Sequence, residues 1–370
     1  MKRVLTLILM LLILSDSALN EEEIALGDDV DLSGVQDALD HAGADMDAGE
    51  IFSFLLSGDA EILVSGIKAR MKDAAFLSIK NTASAFSVLA LSLLLVGIFQ
   101  ALMPDGGLSK GTGAHFAIRL MLLLSLMRMF LEAYALSEKS LGAISSLSDA
   151  LTPVLVSLAA LTGKTRMASL ITPMGALASR LISHLLTNAG LRLTGVYALL
   201  SAVSGMGYMP LKRLTAFVKS FQKWLLGAML GAYIALMSTG GLIAGAYDGV
   251  MIKSAKYAAD SMIPIVGGEI AGTMESIQAS AKLVRSAAGV TGLTALFSIA
   301  FPPFAASFVS YAALKLISAV SEVYVDDDIL SAADVFSGAF SSLAAVTAAG
   351  AGVIFILIGA TIGLGERALG

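Results

Sequence analysis

The residues able to do chemistry are few and scattered. His41, His115 and His184 are the only histidines, and they share no metal-ligand spacing. The chain has no cysteine, which removes disulfides, thiolate metal sites and a cysteine nucleophile. No HExxH run and no GxSxG elbow occurs. Gly163-Lys164-Thr165 matches the end of a phosphate-binding loop, but that loop needs a glycine at position 158, where Leu158 stands. Proteolysis inside a membrane would need a Ser/His or paired-Asp constellation in apolar segments, and His115 and His184 lack such companions. The chain is therefore read as non-enzymatic, with no catalytic, metal-binding or cofactor-binding residue. The one pair suited to electrostatic work is Arg128 and Glu132, four apart in an apolar stretch. On a helix they share a face and can pair. Charges at membrane depth usually face protein or water, so the pair is either structural or part of a conduction path.

The composition says which solvent the supporting elements meet. Of 370 residues 56% are apolar and 14% charged, and the mean hydropathy is +0.83. Soluble domains carry roughly 25% charge. So little polar surface cannot cover so much apolar side chain in water, and the solvent for most of the chain is lipid. The expected architecture is all-α: a polytopic helix bundle of about seven spans, with re-entrant or interfacial helices. No basic stripe with interleaved aromatics appears, so nucleic acid is not expected as a partner.

Residues 1–18 read as a signal peptide: Lys2 and Arg3, an apolar run from Val4 to Leu14, then Ser15, Ser17 and Ala18. The acidic, extracytoplasmic segment 19–80 follows, with thirteen acids and no Lys or Arg between Asn20 and Ile67. Val35, Leu39, Ile51 and Leu55 recur at helix-like intervals there, so one or two short amphipathic helices are expected. Their acidic face is either solvated or a dock for a basic partner. Lys68, Arg70, Lys72 and Lys80 close the segment.

The membrane domain covers 81–370. Its expected crossings are 82–103, 114–136, 193–211, 224–247, 286–303, 304–321 and 341–364. Residues 150–163, with Pro153, and 167–179, with Pro173, are too short to span and suit re-entrant or interfacial helices. Lys212, Arg213, Lys219 and Lys223 form the best positive-inside mark, which puts 212–223 in the cytoplasm. Pro302-Pro303 suggests a tight reversal between two short helices. Alternation then puts the acidic loop 322–334 and the segment 248–285 outside. Gly227 and Gly231 are spaced for close helix approach.

The segment from Asp248 to Gly289 has helical spacing and balances four acids against four bases. Ile263-Pro264 and Gly267-Gly268 should end one helix and begin another. The expected element is a helical hairpin serving as a docking platform or a gate, with Asp248, Lys253, Lys256, Pro264, Gly267, Gly268, Glu269 and Arg285 as its candidate residues.

This stretch also carries a family likeness. KSFQKWLLGAMLGAYIALMSTGG, then YDGVMIKSAKYAADSMIPIVGGEIAGTMESI, then AAGVTGLTALFSIAFPPF closely resemble the stage III sporulation protein AE family. The likeness extends more weakly to LTPVLVSLAALTG at 151–163 and to the final apolar run. It implies an integral membrane subunit of a mother-cell-to-forespore secretion or feeding-channel complex of endospore formation, in the mother-cell membrane around the forespore. Its partners would be the other membrane subunits of that complex and the lipid bilayer. The resemblance transfers no catalytic residue. A permease moving small molecules or ions across the outer forespore membrane is the competing reading.

Overall fold

Lipid offers backbone groups no hydrogen-bond partner, so a chain of this composition must close its bonds within helices or barrels. Every regular element among the described residues is helical. The computed structural model describes residues 31–44, 46–56, 113–161, 172–206, 211–262, 267–323, 325 and 327–363, with isolated positions between 72 and 98. The expected signal segment, most of the expected first crossing and the final residues lie outside them.

The described helices are α1 (Ser33–Ala42), α2 (Ala48–Leu56), α3 (Gly113–Leu161), α4 (Thr172–Leu185), α5 (Arg192–Gly205), α6 (Lys212–Met262), α7 (Gly267–Ser321) and α8 (Asp327–Gly363); a π-helical turn at Leu186–Leu191 joins α4 to α5. The two short acidic-segment helices form as their spacing suggests. The Asp31 carboxylate accepts from the Ser33 amide and hydroxyl at 3.0 and 2.6 Å and fixes the start of α1. Gly43, at φ 75°, ends it by turning left-handed, so that its amide returns to the Asp40 carbonyl. Gln36 then ties the helices together. Its amide nitrogen donates to Asp40 and to the Met46 carbonyl, while its oxygen accepts from the Ala48 amide at 2.8 Å. Val35, Leu39 and Ile51 are buried, and α1 lies so close to α3 that a Cβ on Gly34 would sit 2.7 Å from Ala150.

The centre of the bundle is α8. Phe336, Phe340, Leu343, Val346, Val353, Ile354 and Ile358 are fully buried along it, and it packs against α3, α5, α6 and, most extensively, α7. Phe130 of α3 meets Phe336 and Phe340 edge-on, at 6.0 and 5.8 Å between ring centroids. Small residues bring the axes together. A Cβ on Gly292 of α7 would stand 2.6 Å from Leu151 of α3.

Two expectations about breaks are corrected here. Residues 150–161 are not a separate re-entrant helix, because α3 runs through Pro153 to Leu161. The chain also does not reverse at Phe301-Pro302-Pro303-Phe304, because α7 continues through both prolines over 55 residues, about 82 Å at 1.5 Å per residue. The physical reason is on α3. In a continuous helix the amide of residue 303 would bond the Ile299 carbonyl, and proline has no amide hydrogen. The buried Ser140 hydroxyl donates to that carbonyl instead, at 2.9 Å. A hydroxyl from a neighbouring helix thus satisfies the group that proline frees, which is how membrane helices tolerate proline.

Ser140→Ala leaves the Ile299 carbonyl buried and unpaired. It is expected to cost about 1 to 3 kcal/mol of stability, read as a lower melting temperature of the purified protein. Ser146→Ala removes an exposed hydroxyl from the same helix and is the control, expected to change stability by less than about 0.5 kcal/mol.

Candidate functional site

The candidate residues of the sequence fall in two places. Arg128 and Glu132 do lie on one face of α3 and pair at 3.3 Å, with side chains 82% and 70% exposed. They stand on the outer surface of the bundle, among Leu124, Met127 and Leu131 in a shallow open depression. Asp248, Lys253 and Lys256 lie in the last turns of α6, Gly267, Gly268 and Glu269 in the first turn of α7, and Arg285 further along α7. α6 is described to Met262 and α7 from Gly267, and the expected break at 263–266 lies outside the described residues. Pro264 lies outside the described residues. The hairpin is not a separate element: its arms are the ends of α6 and α7. Among the described residues, Gly227 and Gly231 meet no other part of the chain, since a Cβ on either would touch nothing within 4 Å.

Sequence reasoning passed over a polar layer in the bundle. The π-helical turn shifts the register between α4 and α5 by one residue, and the Gly190 carbonyl in it accepts from the Thr194 hydroxyl at 3.0 Å. Gln222 of α6, almost wholly buried, donates to Thr194 at 2.5 Å and to Gly190 at 3.3 Å. Ser179 and Tyr233 share a hydrogen bond of 2.7 Å between α4 and α6. Each lone polar residue in an apolar run was visible in the sequence; its partner, on another helix, was not.

At one end of the bundle the charges gather. Tyr197 of α5 donates to the Val335 carbonyl of α8 at 3.2 Å. Lys219 of α6 stands over the Tyr197 ring, 5.7 Å from its centroid. Burial, and then the Lys223 and Lys315 ammonium groups nearby, push the pKa of Lys219 below its ordinary value. Lys315, near the end of α7, pairs with Asp334 near the start of α8 at 2.9 Å. At the start of α3, Arg119 donates to the Met206 carbonyl beyond α5 at 3.4 Å. The basic segment 212–223 and the acidic stretch 322–334 therefore lie at the same end. The expected alternation put them at opposite ends, and this is corrected, because α7 runs as one helix where two were expected.

A family model described as stage III sporulation protein AE matches residues 46–365. The chain belongs to that family. Among curated relatives, the stage III sporulation protein AE of Bacillus subtilis (strain 168) is 23% identical over 266 residues. That match covers 70% of this chain and 66% of the relative, just under two thirds of its length. No solved structure matches the chain. The stage III sporulation protein AE match begins at Met46, in the turn between α1 and α2, and ends just past α8. It thus takes in the whole bundle and the basic end, and leaves α1 outside. Neither match names a catalytic family.

Gly338 is what lets Tyr197, Lys219 and α8 meet. A Cβ there would overlap the Tyr197 hydroxyl and lie 2.9 Å from the Lys219 ammonium. Gly338→Ala is expected to lower stability by about 1 to 3 kcal/mol. Adding Tyr197→Phe removes the overlapping oxygen, so the double variant should melt above Gly338→Ala alone.

Proposed function

We propose that this chain is an integral membrane subunit of the mother-cell-to-forespore channel complex of endospore formation, acting in its assembly or as its membrane-embedded base. The supporting observation is the apolar outer surface of a bundle that belongs to this family. Among the described residues, three stretches are long and apolar enough to cross a membrane: Arg119–Val154, Ala287–Ser321 and Ala333–Gly359. Met121, Leu124 and Leu131 of α3, with Phe308, Leu316 and Val320 of α7, are exposed. Water tolerates contiguous apolar patches of only a few hundred Å², whereas lipid requires them. The chain would sit as a multi-pass protein in the mother-cell membrane around the forespore, with the other membrane subunits as partners.

A scaffold role is favoured over a permease by what the polar groups do. Arg128 and Glu132 pair on the outside of the bundle. The buried Ser140, Ser179, Thr194 and Gln222 bond to neighbouring helices and to one another. These bonds hold helices together and do not line a described passage.

Reconstituted alone and shown to be folded, the protein is expected to leave liposomes tight to small metabolites and ions. Capture from sporulating-cell membranes should recover it with other membrane subunits. Saturable flux that is lost in Arg128→Ala or Glu132→Ala would contradict the scaffold and support the permease.

A further inference from the structure

The basic end of the bundle has a charge arrangement that assembly alone does not explain. Lys219 is half-buried between α6 and α8, its ammonium over Tyr197 and against Gly338. Lys223 is one turn further along α6, exposed, and Lys315 approaches from α7. Asp334 is bonded to Lys315 at 2.9 Å. Among the described residues, neither Lys219 nor Lys223 has an acidic partner. Lys219 and Lys223 repel one another, and Lys315, whose charge Asp334 partly offsets, adds to that repulsion; an anion seated among them removes it.

The adjoining surface indicates which anion. Phe217, Phe221 and Trp224 stack in a row along the outward face of α6, at 6.2 and 5.9 Å between centroids, and all three are exposed. The row lies at the same height on the helix as Lys219 and Lys223. Tryptophan, with an apolar ring system and a polar N–H, favours the headgroup level of a bilayer, and Trp224 ends this row. Basic clusters between membrane helices at that level take lipid phosphate.

We propose that Lys219, Lys223 and Lys315 hold the phosphate of an anionic phospholipid, and that the Phe217–Phe221–Trp224 row marks the headgroup level beside it. The proposal rests on the membrane reading given above.

The test exposes the purified protein to equal phosphatidylglycerol and phosphatidylcholine in detergent and measures the retained lipid by native mass spectrometry. Preferential retention of phosphatidylglycerol is expected. Losing a lysine at a membrane surface should weaken it about fivefold, so Lys219→Gln with Lys223→Gln should nearly abolish the preference. Lys223→Gln alone changes only an exposed side chain and keeps the test open if the double variant does not fold. Lys139→Gln, midway along α3 beside Gly43, should retain the preference. No preference in the unmodified protein overturns the proposal. So does an equal loss in Lys139→Gln, or thermal protection by inorganic phosphate that matches protection by the lipid. A protein that also fails to float with neutral vesicles overturns the membrane reading as well, whereas one that floats without anionic preference overturns the lipid site alone.

Discussion

The Ser140 hydroxyl bonded to the Ile299 carbonyl decides more of this molecule than any other single contact. Without a donor there, the helix around Pro302 and Pro303 would leave a buried carbonyl bare, and a reversal into solvent or headgroups would be the easier solution. With it, α7 stays one rod from Gly267 to Ser321. That continuity carries the chain from the α6–α7 connection past the centre of the bundle to the end where α8 begins. It therefore places the acidic stretch before α8 beside the basic start of α6. The Lys315–Asp334 pair and the Tyr197–Val335 bond are consequences of that placement.

Local patterns in the sequence disclosed the elements whose cause is local. Val35, Leu39 and Ile51 announced α1 and α2 by spacing, and the i, i+4 separation of Arg128 and Glu132 announced their ion pair. The double proline misled because its compensation lies 159 residues away. One-dimensional reading sees the lost donor and has no means of seeing the donor that replaces it. The same holds for Lys219. Its basic neighbours read as a solvated positive segment, while its burial depends on Tyr197 and Gly338, which arrive from two other helices.

These features suit a subunit whose work is to hold helices in register within a bilayer. The buried hydroxyls and the Gln222 amide are worth most where water cannot compete. The outer face of α6 changes from aromatic and basic to small, at Gly227 and Gly231, within two turns. The first part fits a headgroup layer, and the second leaves a flat surface at hydrocarbon depth. In the proposed channel complex, this helix would offer a surface for anchoring and a surface for close contact.

The most direct test of the account concerns the start of α6 and the end of α7. The chain has no cysteine, so Lys212→Cys and Glu322→Cys can each be labelled without background. An impermeant maleimide applied to one side of sealed membranes should reach both positions or neither, because one traverse by α6 and one by α7 put them on the same face. Labelling of the two from opposite sides would mean that the chain reverses at Pro302-Pro303 after all, and would contradict the account.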